Sequence, residues 1–478
     1  MLTDHIHKKL LQFLGHSPTS GQNFLLKSLS NFIVTKNPDE IFLIKGYAGT
    51  GKTTVIKALV CYLREIKHRC VLLAPTGRAA KVMNSYTNHP AFTIHKKIYR
   101  QKSSKDGFGQ FILDKNLHKN TFFVVDEASM IANGSNDISI FGTGRLLDDL
   151  LEYVYSGENC KLVLIGDTAQ LPPVKLDISP ALDKRVLEKQ GFSVIENLLT
   201  EVLRQEEAQG VLENATYIRQ MIAKKRTGYP ELTLKGFNDI HALAGTNLIE
   251  TISTSYDKYG YENTIIICRS NKRANAYNLG IRNQILWRED EIATGDYIMI
   301  VKNNYYWPQY YEESGIDFIA NGDIAKITRI KKIQELYGFR FADVEIELVD
   351  YNNTCMEVKI LLDTLTSETA SLSSDDNKTL FYAILEDYMD LKPKKKQYDN
   401  VKENPFFNAL QIKFAYAVTC HKAQGGQWHT VYIDQGYITD EMLTTDYLRW
   451  LYTAFTRATH QLYLMNFKKE FFKDAMME

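Results

Sequence analysis

The segment Gly46-Tyr-Ala48-Gly49-Thr50-Gly51-Lys52-Thr53 has the residue types and spacing to grip a row of phosphates. Glycines let successive backbone N–H groups curl around anionic oxygens, and a helix starting there adds its positive end. Lys52 would reach the β- and γ-phosphates of ATP, and the Thr53 hydroxyl would hold Mg²⁺. Thr54 stands beside it among the expected nucleotide contacts. The context fits: the apolar run Ile41–Lys45 reads as a strand before the loop, and the amphipathic stretch Val55–Leu63 reads as a helix after it.

Two further clusters suit the same chemistry. Asp126-Glu127 closes the apolar run Thr121–Val125. A carboxylate at the end of a buried strand is where a second Mg²⁺ contact is expected, and Glu127 could act as general base on the attacking water. In Gly166-Asp167-Thr-Ala-Gln170-Leu-Pro-Pro173 the neutral Gln170 could sense a γ-phosphate without adding charge. Gly-Asp and Pro-Pro are also ordinary signals of a strand-ending turn, so that alternative stays open.

These residues need a scaffold, and 478 residues exceed one ordinary core. Hydrophobic residues make up 44% and charged residues 24%, the balance of a soluble globular chain. No apolar run reaches membrane-span length and no signal-peptide core follows Met1, so a cytoplasmic location is expected. The 57 basic and 57 acidic residues cancel, which leaves a locally basic groove possible. The 6 cysteines lack the spacing of zinc or iron–sulfur sites and read as reduced thiols.

Strand-length apolar runs at Ile41–Lys45, Cys70–Ala74, Thr121–Val125 and Lys161–Ile165 alternate with amphipathic stretches. That rhythm predicts α/β architecture with a parallel sheet and ligands at its carboxyl edge. A second α/β rhythm has its candidates at Ser193–Glu196, Thr264–Cys268, Ile412–Val418, Thr430–Ile433 and Gln461–Met465. We therefore expect two parallel-sheet domains, 1–180 and 181–478, with a cleft between them. A hairpin insertion is expected at about 100–120, around Phe108 and Phe111, with a plain surface loop as the alternative. Short β-type runs predict a small β-barrel inserted at about 296–398. The acidic tract around Ser371–Asp376 and the basic Lys392-Pro-Lys-Lys-Lys396 read as solvated linkers.

Taken in order, these motifs resemble those of superfamily 1B helicases, the RecD-like and Dda-like branch. Gln22 is similar to the family's adenine-reading glutamine. Ala74-Pro-Thr76-Gly77-Arg78 and Thr93-Ile-His95 resemble its DNA-contacting segments. Leu199-Thr-Glu-Val-Leu-Arg204-Gln resembles the segment that supplies an arginine finger, and Tyr452-Thr-Ala-Phe-Thr-Arg457 the one that supplies a second. Val418-Thr419-Cys-His421-Lys422-Ala-Gln424-Gly425 is similar to the motif that joins DNA to nucleotide. Gly426-Gln427-Trp428 departs from the family by placing a bulky aromatic after the last glycine.

The resemblance implies two RecA-like domains, ATP and Mg²⁺ as cofactors, and Lys52, Asp126, Glu127, Gln170, Arg204 and Arg457 as catalytic residues. Gln22, Gly46, Ala48, Gly49, Thr50, Gly51, Thr53, Thr54 and Gln424 would bind nucleotide. It assigns DNA contact to Thr76, Gly77, Arg78, Thr93, His95, Phe108, Thr419, His421 and Lys422. Single-stranded DNA and single/double-strand junctions are the expected partners, the chain acting as a monomer that travels 5′ to 3′. Backbone-directed contacts carry no sequence information, as a motor requires. One alternative is a translocase that remodels protein–DNA complexes without efficient unwinding. Another is a nucleotide-dependent switch or assembly subunit acting on a partner.

Overall fold

The computed structural model describes residues 2–101, 111–134, 142–174, 176–202, 209–316, 318–349, 351 and 353–473. They form two compact units. One holds the chain up to Thr233 together with Gln424–Gly426 and Thr439–Thr456; the other holds the remainder. The boundary expected at residue 180 falls inside the first unit.

The first unit is built on a six-stranded sheet. Its spatial order is Ala91–Thr93, Arg69–Ala74, Thr121–Val125, Lys161–Gly166, Glu40–Gly46, Ser193–Leu199, and every pairing is parallel. The central strands are apolar on both faces, as a sheet covered on two sides requires. Phe42, Ile44, Val124 and Val163 face one apolar layer, with Leu59, Leu29 and Leu10 of the covering helices. Ile41, Leu43, Phe123 and Leu164 face the other, with Leu147 and Leu150. Ser193–Glu196, expected in the second domain, instead pairs with Glu40–Gly46 as an edge strand of this sheet. Ser193–Leu199 alternates buried and exposed positions, as an edge strand does. Antiparallel pairing of Tyr99–Gln101 with Phe111–Leu113 forms the base of the expected hairpin, and Phe108 lies outside the described residues.

The second unit carries a five-stranded parallel sheet ordered Ala417–Thr419, Thr264–Cys268, Trp428–Asp434, Ala458–Met465, Ile240–Leu243. Inserted in it is a closed barrel of Tyr297–Ile300, Ile324–Leu336, Phe339–Leu348, Thr354–Leu361 and Leu410–Phe414. The run Ile412–Val418, expected as one strand of the α/β sheet, is divided. Its first part closes the barrel, and Ala417–Thr419 joins the sheet. The charged tracts are not linkers. Ser373 caps the helix Ser374–Glu386, placing Asp375 and Asp376 at the favourable end of its dipole. Lys394–Lys402 forms a second helix. Leu380, Ile384 and Val401 of this pair are buried against Phe339, Phe341 and Leu361 of the barrel.

The barrel is rooted by a fully buried carboxylate. Asp296 lies just before the first barrel strand and is 0% exposed. It is paired with Arg282 at 3.1 Å and Arg288 at 2.7 Å, and it also accepts the Ala293 N–H at 2.7 Å. Such a charge is tolerable only because every lone pair has a donor.

A candidate nucleotide site and its neighbouring DNA-contact segments

The phosphate loop opens where the strand Glu40–Gly46 ends and closes where the helix Lys52–Glu65 begins. A Cβ at Gly46 would lie 2.9 Å from Lys52 Cγ and 3.0 Å from Thr50 Oγ1, so a side chain there would displace the loop's own Lys52. Gly49 and Gly51 take φ of 72° and 81°, where a side chain would be strained. No side chain caps the helix start at Gly51, which leaves its N–H groups open to an anion. Lys52 Nζ donates to the Tyr47 carbonyl at 2.9 Å, within its own loop.

Gln22 sits under this loop. Its Oε1 completes the capping box of the helix Ser20–Val34, and its Nε2 donates to the Thr50 carbonyl at 3.2 Å. The glutamine is fully buried with both amide atoms engaged, and it braces the loop.

The acidic residues come from the next strands of the sheet. Asp126 follows Thr121–Val125; its Oδ1 accepts the Glu127 N–H at 2.8 Å and its Oδ2 accepts the Tyr86 hydroxyl at 2.9 Å. Burial and the adjacent Glu127 carboxylate push Asp126 up to about 6, against the pull of Lys52. Glu127 itself adopts φ 52°, an uncommon conformation for a non-glycine residue and one that clusters at functional sites. Burial also raises Asp167, and Lys52 again opposes the shift. One ammonium thus acts electrostatically on both carboxylates. The donor set of Thr53 hydroxyl and Asp126 carboxylate consists of hard oxygens, the chemistry Mg²⁺ selects.

Gln170 follows the strand Lys161–Gly166, is 4% exposed, and has a buried Oε1 without a hydrogen-bond partner. Its loop is held on both sides. Asp167 accepts the Tyr452 hydroxyl at 2.7 Å, and the Leu171 N–H donates to Thr453 Oγ1 at 2.8 Å. Gln424 Nε2 donates to the Leu171 carbonyl at 2.7 Å. Gln424 thus touches the loop that carries Gln170. Gly166 has no room for a side chain, since a Cβ would stand 2.9 Å from the Ser129 nitrogen.

Several neighbours were not anticipated from sequence. Tyr452 lay inside a motif noted only for its arginine, and Tyr86 inside a helix noted only for its start. The Arg219 guanidinium stacks 4.3 Å over the Tyr47 ring of the phosphate loop. Nothing in local spacing connects residues so distant in the chain.

Among the expected DNA contacts, Thr76 caps the helix Gly77–Thr87 and Thr93 caps Ile94–Ile98, each hydroxyl accepting a backbone N–H. Each keeps its own proton to donate. His95 is lowered to about 4 by burial and is neutral at physiological pH. Phe92, next to Thr93, is exposed, with Lys96 Nζ 6.0 Å from its ring centre; this pairing of a cation with an open ring was not anticipated. Gly425 abuts the start of the first of these helices: its Cβ would lie 2.9 Å from Ala79 Cβ and 3.0 Å from Thr76 Oγ1. In the second unit Thr419 ends a strand, and His421 and Lys422 lie in the helix Cys420–Ala423. Burial, with Lys413 nearby, lowers Lys422 to about 8. Arg457 belongs to this unit and is 3% exposed. Arg204 lies outside the described residues.

A parallel sheet with this loop, two strand-end carboxylates and a buried glutamine defines a phosphate-loop nucleotide-binding protein. Comparison with known proteins is more specific. Residues 31–231 match the AAA domain family, and residues 414–465 match the UvrD-like helicase C-terminal domain. RecBCD enzyme subunit RecD of Buchnera aphidicola is 24% identical, the match covering 92% of this chain and 72% of the relative. ATP-dependent DNA helicase Pif1 of Psychrobacter is 22% identical, over 86% of this chain and 65% of the relative. A Pif1 structure from Bacteroides, solved with ADP-AlF3 and single-stranded DNA, is 15% identical with a TM-score of 0.45, covering 96% and 94% of the two chains. The chain is thus similar to DNA helicases over most of its length, and its two matched domains are an AAA domain and a UvrD-like helicase C-terminal domain. Among its described residues no helix is long and apolar enough to cross a membrane.

Proposed function

We infer that this chain is an ATP-dependent DNA helicase that moves along single-stranded DNA 5′ to 3′ and unwinds duplex at junctions. The observation that carries the reading is that the open helix start with Lys52, and Asp126 and Asp167, follow the carboxyl ends of three adjacent parallel strands. The similarity to RecD and Pif1 helicases, and the motifs resembling superfamily 1B, support it.

In the proposed reaction the loop N–H groups and Lys52 hold the β- and γ-phosphates. Thr53 and Asp126 would hold Mg²⁺, which when bound neutralises charge on the phosphate oxygens. Glu127 takes a proton from water as the water oxygen bonds to the γ-phosphorus and the bond to the β-phosphate oxygen breaks. Arg204 and Arg457 are assigned to the charge that develops on the transferring group; such arginines are worth ~10³–10⁵ in rate. Gln170 reads the γ-phosphate, and its buried, unpartnered Oε1 gives it reason to rearrange when a ligand arrives. Thr76, Gly77, Arg78, Thr93, His95, Thr419, His421 and Lys422 bind the track through phosphates. The segment carrying Phe108, which lies outside the described residues, is assigned to strand separation. Breaking a base-pair step costs about 1.4 kcal/mol of stacking on average, well within one ATP.

Steady-state ATP hydrolysis with and without single-stranded DNA, with Lys52→Ala as blank, tests the core of this reading. Strong stimulation that vanishes in the variant is expected; hydrolysis indifferent to DNA would favour a switch acting on a partner. Strand displacement on forks with a 5′ or a 3′ tail then decides direction, unwinding of only the 5′-tailed fork being expected.

A further inference from the structure

We propose that Tyr86 is a positioning residue for Asp126, and that the helix Gly77–Thr87 makes this carboxylate responsive to the DNA strand held at the helix's other end. The second half rests on the function inferred above; the first stands on geometry alone.

Asp126 is anchored by three hydrogen bonds. Its N–H donates to the Leu73 carbonyl at 3.0 Å, and its Oδ1 accepts the N–H of its own neighbour, Glu127. Neither bond fixes the second oxygen. Oδ2 is held from outside the strand by the Tyr86 hydroxyl at 2.9 Å. A phenol has one proton to give and a carboxylate oxygen accepts, so the hydroxyl is the donor. Outer partners of this kind set how a ligating carboxylate presents its lone pairs.

Tyr86 does not belong to the strand that carries Asp126. It sits in the last turn of Gly77–Thr87, the helix capped by Thr76. Ala79, Ala80, Met83 and Thr87 are buried along one face, so the helix is seated as a unit. Its first turn lies against Gly425, where a Cβ on that glycine would approach Thr76 Oγ1 to 3.0 Å. From Thr76 to Tyr86 the helix spans about 15 Å at 1.5 Å per residue. A phosphate drawn to Thr76, Gly77 and Arg78 pulls on one end of a short rigid rod, and the metal-binding carboxylate is tied to the other. Coupling of this kind needs a rigid element biased at both ends, and this helix supplies one.

The test is Tyr86→Phe in the full chain, which keeps the ring and removes only the donor. Mn²⁺ binding to the ADP-loaded protein is measured by electron paramagnetic resonance, with ADP binding in excess chelator and single-stranded DNA affinity as companions. Mn²⁺ affinity should fall roughly tenfold or more, with ADP and DNA affinities held. The ratio of DNA-stimulated to unstimulated hydrolysis should fall as well. Met83→Leu, in the buried face of the same helix, is the packing control and should leave Mn²⁺ affinity intact even where it lowers the melting temperature. Unchanged Mn²⁺ affinity in Tyr86→Phe, or an equal loss in Met83→Leu, overturns the positioning role. Weakened Mn²⁺ binding with an unchanged stimulation ratio overturns the coupling. If the wild-type chain shows no stimulation by DNA, the helicase reading fails, and the Mn²⁺ measurement still decides Tyr86.

Discussion

Tyr452 and Asp167, 285 positions apart in the chain, share a 2.7 Å hydrogen bond, and the same tyrosine oxygen accepts the N–H of Ala48 at 2.8 Å. The direction of both bonds is forced, because Ala48 can only donate and the hydroxyl has one proton left for Asp167. A single buried oxygen therefore ties the phosphate loop to the loop that carries Gln170. Removing it should be felt in both. Tyr452→Phe leaves a part-buried N–H and a buried carboxylate oxygen short of partners, the buried oxygen alone at a cost of about 1–3 kcal/mol. Urea denaturation should show a lower midpoint, and DNA-stimulated turnover should fall roughly tenfold if about 1.4 kcal/mol of that loss appears in the transition state. A variant with wild-type midpoint and turnover would show that the bond is dispensable.

Gly425→Ala tests the seat of the helix Gly77–Thr87. Gly425 has φ 74°, and its Cβ would come within 2.9 Å of Ala79 Cβ. Strain and collision act together, so destabilisation should exceed the ~1 kcal/mol scale of a tolerated glycine exchange. Weaker single-stranded DNA binding by fluorescence anisotropy should accompany it. Tight binding at full strength would place the DNA contact elsewhere.

The lowered Lys422 sets a pH dependence on the track side. Its ammonium is charged below about 8 and loses its proton above. Single-stranded DNA affinity should therefore drop as pH rises from 7 to 9, with the salt slope shrinking by about 0.7, the share of one phosphate contact. Lys422→Ala should have the shallower slope already at pH 7 and change little with pH. His95, lowered to about 4, is neutral throughout this range and adds nothing to the effect.

Asp296→Ala should be the most damaging change in the second unit. It leaves Arg282, only 2% exposed, as a buried cation without its carboxylate. Breaking such a pair costs about 3–5 kcal/mol. A fall in melting temperature is expected, and Asp296→Asn, which keeps shape and two acceptor sites, should recover part of it. Equal melting temperatures for Asp296→Ala and the wild-type chain would mean that the barrel root does not depend on the charge.

Much of this architecture is legible in the sequence, and the exceptions have physical reasons. Short patterns anchored in one strand–turn–helix unit, such as Ile41–Leu63, declare themselves because glycine, lysine and hydroxyl must stand at fixed offsets along a single stretch. Strand partnership is another matter. Ser193–Leu199 and Leu410–Phe414 look alike as short β-type runs, yet one edges the first sheet and the other closes the barrel, a choice made by long-range hydrogen bonds. Charge density misled in Ser371–Lys396, where caps and a sparse apolar stripe at Leu380 and Ile384 outweigh polar composition. Tyr86, Tyr452 and Asp296 were invisible for a common reason: each gains its meaning from a residue that local periodicity cannot reach.

The membership of Thr439–Thr456 in the first unit has a consequence for the nascent chain. All strands of the first sheet have left the ribosome once Leu199 emerges, but the helix Thr445–Phe455 that covers Ala48 and Asp167 is made only after the whole barrel. At 5–20 residues per second that delay is on the order of ten seconds or more. During it the phosphate loop has no cover over Ala48 and the counterpart surface for Leu448, Leu451 and Phe455 stands open to water. Synthesis of this chain therefore contains a built-in interval in which the first unit stands without the helix that will later contact its phosphate loop.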